Sequence, residues 1–318
     1  MNEVIIVGSK GQDGQLLKEL FQRRKCPIIG FDVDFVDSTS SSWKAKVDIT
    51  DYAQVSQLIK QVKPSQVYYL AAHHHSSEDQ LGDLNDLVKK SYKVNVFSYL
   101  NFLESIRRFS LGTKIFYAAS SHIYGDPKDS LQDESTEFNP HSIYAITKLD
   151  GLLLSRYYRE NYSVFSSVGI LYSHESPYRR NSFVSKKIVK TAVEIKNGLK
   201  SELVIGNINA QVDWGYAGDY VEAFVKILSC EKPNNFIVST GQTYKLKNFI
   251  IYVFSYLDLD WKKHVVIDEN LLTRKSINNL CGDNTKISEI TGWRPKHNLE
   301  DLAKLMVDKE IEEFDKNQ

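Results

Sequence analysis

The chain commits itself within its first two dozen residues. Val4-Ile5-Ile6-Val7 is a β-branched run, Gly8-Ser9-Lys10-Gly11-Gln12-Asp13-Gly14 follows at once, and Gln15–Phe21 resumes with apolar residues at helical spacing. A buried strand, a glycine-rich turn and a helix, in that order, admit few architectures. The glycines allow a tight turn, a close approach of backbone to a pyrophosphate, and a helix N-terminus whose N–H groups face it. A second apolar run, Pro27-Ile28-Ile29-Gly30-Phe31, ends in Asp32. In that context Gly8, Gly11, Gln12, Asp13 and Gly14 are expected to hold a dinucleotide, with Asp32 on its adenosine ribose.

The same alternation continues along the chain. Val47-Asp48-Ile49, a helix around Tyr52–Lys63 and a strand at Gln66–Ala72 come next. Tyr92–Phe109 has helical periodicity, Lys114–Ala119 reads as a buried strand, Tyr144–Tyr162 as a helix and Ser163–Leu171 as a strand. Strands alternating with helices imply an α/β fold, a doubly wound parallel sheet of the Rossmann type. Beyond Leu171 the pattern loosens into short elements at Phe183–Asn197, Leu203–Ile205, Asp219–Leu228 and Asn235–Ser239, then a Gly-Trp-Arg-Pro turn (Gly292–Pro295) and a charged amphipathic helix. The expected division is a dinucleotide-binding domain at 1–171, with 213–240 returning to it. A smaller C-terminal substrate-binding lobe takes 172–212 and 241–318.

Composition excludes some partners. Lys plus Arg and Asp plus Glu are both 40, so no net charge favours nucleic acid or an anionic membrane. Three widely spaced cysteines argue against a disulfide framework. Met1-Asn2-Glu3 runs straight into Val4, without the pattern of a signal peptide, and no apolar run nears the ~20 residues that span a bilayer. A cytoplasmic protein is expected.

Tyr144-Ala145-Ile146-Thr147-Lys148 sets a phenol and an ammonium one helical turn apart. There the cation favours the phenolate and lets Tyr144 accept a proton near neutral pH. Ser120-Ser121-His122 follows the strand Lys114–Ala119, so these side chains fall at its carboxyl end, beside the expected nicotinamide. Ser120 can hydrogen-bond a reacting hydroxyl while Tyr144 removes its proton. The pattern points to hydride chemistry at an alcohol carbon. Asp32, with no Arg or Lys after it, would repel a 2′-phosphate, so NAD is favoured over NADP. Asp48 and Ile49 are expected to flank the adenine.

These residues resemble the extended short-chain dehydrogenase/reductase family, and within it the GDP-mannose 4,6-dehydratase branch. The resemblance covers nearly the whole chain. It is carried by Gly11-Gln12-Asp13-Gly14, Tyr69-Leu70-Ala71-Ala72, Asn139–Tyr144, Tyr158–Tyr162, Gly169–Pro177, Phe183–Ile188, Gly206–Ala210 and Asp213–Tyr220. It implies a nucleoside diphosphate sugar as substrate, a GDP-sugar favoured, a homodimer or homotetramer, and Leu70, Ala71 and Ala72 along the cofactor. In that branch NAD(P)+ oxidises hexose C4, water leaves across C5–C6, and the hydride returns to C6. The branch's acid/base glutamate falls at His122 here. Histidine can shuttle a proton near neutral pH, but the carboxylate is gone, which puts efficient dehydration in question.

Other departures follow from the same resemblance. The asparagine near the sugar phosphates corresponds to Ser173, and a basic pair to Gln211 and Val212. Arg179, Arg180, Lys187 and Arg274 remain as candidate diphosphate ligands, and Arg179 and Arg180 can alternatively reach a neighbouring subunit's cofactor. Ser121, Glu175 and His75 complete the expected substrate contacts. His73-His74-His75 lacks the convergent partners of a zinc site, so no metal is expected. The leading expectation is a 4,6-dehydratase-like enzyme acting through a 4-keto sugar. The alternatives are a C4 dehydrogenase, 4-keto-sugar reductase or epimerase without water loss, and, in another class, a catalytically silent nucleotide-sugar or dinucleotide-binding protein.

Overall fold

The computed structural model describes residues 3–33, 35–73, 83–268 and 280–316; His74, His75 and Arg274 lie outside the described residues. The chain opens with β1 (Val4–Val7), α1 (Gln12–Arg23), β2 (Ile28–Asp32), β3 (Phe35–Ser38), α2 (Tyr52–Val62) and β4 (Gln66–Tyr69). Then come α3 (Leu84–Tyr92), α4 (Ser98–Phe109), β5 (Lys114–Ser120), α5 (Ile143–Tyr162) and β6 (Ser166–Leu171). Among the described residues, seven strands form one sheet in the order β11-β6-β5-β4-β1-β2-β3, where β11 is Asn235–Val238. All neighbours run parallel except β2 and β3.

Both faces of this sheet are covered, which is why its strands read as continuous apolar runs. Ile5 and Val7 enter one core beneath α2, α4 and α5, while Val4 and Ile6 enter a second beneath α1 and α7 (Ala217–Leu228). Strand order reverses at β1: β2 and β3 lie to one side, and β4, β5, β6 and β11 to the other. The crevice beyond the carboxyl ends of β1 and β4 is therefore the topological switch point, where open α/β sheets bind ligands.

The chain leaves the sheet at the carboxyl ends of β6 and β11. It passes through β7 (His174–Glu175), α6 (Val184–Lys196), β8 (Leu203–Ile205), β9 (Gln211–Val212) and β10 (Gly215–Tyr216) on the first excursion. The second takes in β12 (Tyr244–Lys245), α8 (Leu246–Tyr256), α9 (Trp261–His264), β13 (Val265–Ile267), α10 (Thr285–Thr291) and α11 (Leu299–Lys316). A third core forms here from Ile188 and Ala192 of α6, Phe249 and Val253 of α8, Leu302 and Met306 of α11, and Trp214. Ile287 and Trp293 instead join the core under α7, where Trp293 Nε1 donates to the Asp219 carbonyl (2.8 Å).

Several elements differ from the sequence expectation. The edge strand β3 was not expected; it turns straight back on β2, pairing Phe35 with Asp32. The periodic stretch from Tyr92 to Phe109 is interrupted by a π-helical segment, Lys93–Phe97. Asn95, fully buried inside it, accepts from His73 N (2.7 Å) and donates to Thr147 Oγ1 (2.9 Å), and these bonds to two other elements hold the bulge. Also, β6 starts at Ser166 because Ser163 closes α5 in the left-handed conformation (φ 55°).

Candidate active site

The glycine turn is built for backbone proximity. Gly8 has φ +92°, and a Cβ on it would lie 2.8 Å from the Ala71 nitrogen. One on Gly14 would lie 2.3 Å from the Gly8 oxygen. The turn thus packs directly on the chain leaving β4, and α1 starts directly on the turn, as a pyrophosphate cradle requires. Asp32 closes the other side, accepting from Lys10 N (2.9 Å) and Val33 N (3.0 Å). Its remaining lone pairs suit a ribose hydroxyl. The residues present fit a dinucleotide.

Not every residue of the motif offers its side chain to that cradle. Gln12 donates to the His174 carbonyl (2.8 Å) and accepts from Ser176 Oγ (3.0 Å), so only its backbone remains for a phosphate. Asp48 is a turn former: its Oδ1 takes both Thr50 N (2.8 Å) and Thr50 Oγ1 (2.7 Å), bonds that hold its pKa below the usual range. Ile49 is half-buried and its carbonyl accepts from Asn101 Nδ2 (3.0 Å). Leu70 and Ala71 are half-buried where they pass Gly8, and Ala72 is exposed.

The reacting centre gathers at the carboxyl end of β5. Ser120, its last residue, caps the short 3-10 turn Ser121–Tyr124, accepting from His122 N (3.3 Å), and is hydrogen-bonded to the Tyr144 hydroxyl. Ser142 caps α5 by accepting from Ala145 N (3.1 Å), which fixes Tyr144 in its first turn. Lys148, one turn on, donates to the Ala118 carbonyl (2.7 Å) and lies 5.7 Å from the Tyr144 ring. The His122 ring meets that of Tyr144 edge-on, 6.1 Å between centres. Ser120, His122, Tyr144 and Lys148 are therefore brought together.

Their ionisation departs from the sequence expectation. Burial pushes the Tyr144 phenol up to about 12, although the Ser120 hydrogen bond and the charge of Arg179 work the other way. Burial drives Lys148 down to about 7, opposed by Asp13. Tyr144 is thus not held as a phenolate near neutral pH, because Lys148 sits in the same dry environment and loses much of its own charge there. Burial also pushes His122 below the ordinary imidazole value, so it is neutral at physiological pH.

The outer candidates divide. Ser121 is buried, and Ser173 is half-buried with its carbonyl accepting from Gly215 N (3.0 Å). Glu175 accepts from Ser185 Oγ (2.6 Å) and pairs with Arg179 (3.0 Å), whose guanidinium lies 3.6 Å from the centre of the Phe183 ring. Arg180 is exposed. Lys187 lines an open concavity of about 690 Å³ with Thr191 and residues 198–204, away from Tyr144 and Ser120. Among the described residues no cluster of three metal-binding side chains occurs, and no helix is long and apolar enough to cross a membrane. Sequence reasoning overlooked Asn95 and His174. A lone Asn in the otherwise apolar run Val94-Asn95-Val96-Phe97 was the available signal for the first.

The chain has relatives along its whole length. A model of the GDP-mannose 4,6 dehydratase family matches residues 5–306. The protein GDP-mannose 4,6 dehydratase 1 of Arabidopsis thaliana is 33% identical over 333 residues, covering 97% of this chain and 89% of that one. The GDP-mannose 4,6 dehydratase of Dictyostelium discoideum is 30% identical, over 97% and 95% of the two chains. Among solved structures, RMD from Pseudomonas aeruginosa complexed with NADPH superposes with a TM-score of 0.83 at 19% identity, covering 98% of this chain and 100% of that one. The dTDP-glucose 4,6-dehydratase of Bacillus anthracis in complex with NAD gives 0.81 at 16%, over 99% and 98%. These two likenesses establish the Rossmann-type fold.

Proposed function

This chain belongs to the GDP-mannose 4,6-dehydratase family, and from that premise we propose that it is an NAD-dependent enzyme that modifies a nucleoside diphosphate sugar, a GDP-sugar first, at hexose C4. The observation that carries this reading is the Ser120–Tyr144–Lys148 group at the end of β5, beside the glycine turn. Bound at the glycine turn, NAD would supply the hydride acceptor for C4. Ser120 holds the C4 oxygen, and Tyr144 relays its proton. Lys148, with a pKa of about 7, donates to the Ala118 carbonyl within reach of the phenol, and its charged form lowers the cost of a transient phenolate. The glycine turn and Asp32 carry the cofactor, with residues 1–171 and 213–240 as its domain. Residues 172–212 and 241–318 close over the sugar nucleotide. A homodimer or homotetramer is the expected assembly, which light scattering tests.

After C4 oxidation the C5 proton is acidified by the ketone. A neutral imidazole at His122 has a bare lone pair for that proton and can hand it to the departing C6 hydroxyl, so water can leave without a carboxylate. A second reading has no elimination: the protein is a C4 dehydrogenase, 4-keto-sugar reductase or epimerase. It is favoured by the uncharged His122 in the place where the family resemblance implies an anion.

Incubation with GDP-, CDP-, UDP- and dTDP-sugars, read by mass spectrometry, separates these. Loss of water with solvent deuterium at C5, and the original C4 hydrogen carried to C6, supports dehydration. In that case His122→Ala loses ~10²–10⁴-fold in water loss but keeps single-turnover NADH formation. Gain or loss of two hydrogens, or inversion alone, supports the second reading. No change in any sugar, with cofactor bound, would leave only a binding protein.

A further inference from the structure

The first turn of α1 is laced to the chain that follows β6. Gln12 Nε2 donates to the His174 carbonyl (2.8 Å), Ser176 Oγ donates to Gln12 Oε1 (3.0 Å), and His174 Nε2 lies 3.0 Å from Asp13 Oδ2. His174 Nδ1 lies 2.7 Å from the Tyr172 carbonyl oxygen. The ring stacks on Tyr220, 4.6 Å between centres and 21° apart, so the direction of both nitrogens is fixed.

These contacts settle how many protons the pair shares. A carbonyl oxygen has no hydrogen to give, so Nδ1 holds one. With only that proton, Nε2 would turn a bare lone pair towards a carboxylate oxygen at hydrogen-bond distance. The two side chains are 12% and 17% exposed, and in such surroundings two acceptors do not share 3.0 Å. A second proton lies between them. Asp13 Oδ1 is buried with no hydrogen-bond partner among the described residues, so no second donor bonds the carboxylate there.

We propose that Asp13 and His174 form an imidazolium–carboxylate pair that keeps the N-terminus of α1 available to an anion. Without the second proton, Asp13 would place its own charge at the positive end of the helix, where the dinucleotide's diphosphate must sit. His174 is a positioning residue that acts through Asp13. The inference rests on the dinucleotide reading of the glycine turn. The charged and titratable groups facing the pair are Arg179 from the loop after β7, Lys148 and Tyr144 from α5, and Tyr220 from α7. Burial pushes the His174 pKa down and Arg179 does the same. The charge and hydrogen bond of Asp13, with the Tyr172 carbonyl, outweigh them and hold it above the ordinary imidazole value. The proton is therefore held to higher pH than on an ordinary imidazole, and its loss as pH rises leaves a net negative pair.

The test is NADH affinity of the full chain by calorimetry from about pH 6 to about pH 9, which brackets a raised histidine pKa. The wild type should weaken roughly tenfold across that range. His174→Gln, with an uncharged amide, should be weak throughout, whereas Asp13→Asn should lose the slope. Lys148 titrates in the same window, so the wild-type slope must survive in Lys148→Met. Nitrogen-15 spectra of labelled histidine should show both His174 nitrogens protonated at neutral pH. A flat wild-type profile with binding intact, or a neutral His174 ring, overturns the proposal. If the wild type binds no dinucleotide at any pH, the cofactor reading itself fails and this one goes with it. Should His174→Gln not fold, Asp13→Asn and the spectra still decide.

Discussion

Lys148 is 2% exposed and hydrogen-bonds a neutral carbonyl, with the rings of Tyr117 and Tyr144 5.1 and 5.7 Å from its ammonium. Its pKa is about 7 in the fold against 10.5 for a free side chain. A lowered lysine pKa penalises the charged form. The penalty is full below pH 7, shrinks between 7 and 10.5, and vanishes above that. Lys148→Met should therefore stabilise the protein by about 1–4 kcal/mol at pH 6 and by little at pH 10, read as a rise in Tm, while turnover is lost. An equal rise at both pH values would mean that desolvation of the ammonium is not the cause. Tyr144→Phe should lose ~10²–10⁴-fold in hydride transfer yet keep NADH affinity, since the hydroxyl faces Ser120 rather than the glycine turn. Near-normal turnover would remove Tyr144 from the chemistry. His122 is held below its ordinary pKa by burial, so any rate step it governs should fall below pH ~6.5.

At the scale of elements, α5 places the chemistry, and it can do so only by lying close on β5. A Cβ on Gly151 would sit 2.1 Å from the Tyr117 hydroxyl, and that tyrosine is fully buried against Asn95 and Thr147. Gly151→Ala should push the helix off the strand, costing about 1–3 kcal/mol by overpacking and cutting turnover from a position outside the reacting centre. Unchanged denaturation and kinetics would show that the contact yields. The alternation of strands and helices was legible because β-branched runs and 3.6-residue spacing are local. So was the Tyr144/Lys148 pair, since four residues return a helix to the same face. The π segment was not, because helical periodicity runs on through Lys93–Phe97 and the bonds that hold it come from His73 and Thr147, 22 and 52 residues from Asn95. The low Lys148 and high Tyr144 pKa values were hidden for a related reason. Spacing reports that two groups are near each other, whereas burial depends on everything packed around them.

Across the whole molecule, cofactor and fold should be linked. Asp32 takes two backbone N–H groups beside the glycine turn, where its carboxylate would oppose a 2′-phosphate. NAD(H) at a hundredfold excess over its Kd should therefore stabilise the fold by about 2.7 kcal/mol, and NADP(H) at the same concentration should raise Tm less. A larger shift with NADP(H) would overturn the reading of Asp32. The third core has a different consequence. It is assembled from α6, Trp214, α8 and α11, while β11, the last strand of the main sheet, lies between the second and third of these in sequence. On the ribosome, α6 emerges before the sheet has its edge strand, and its apolar face waits more than a hundred residues for Leu299–Val307. Neither unit can be cut out as one continuous fragment. Ile188 and Ala192 lack their α11 partners until the chain is nearly complete, so the unfinished chain is the form most open to misassembly.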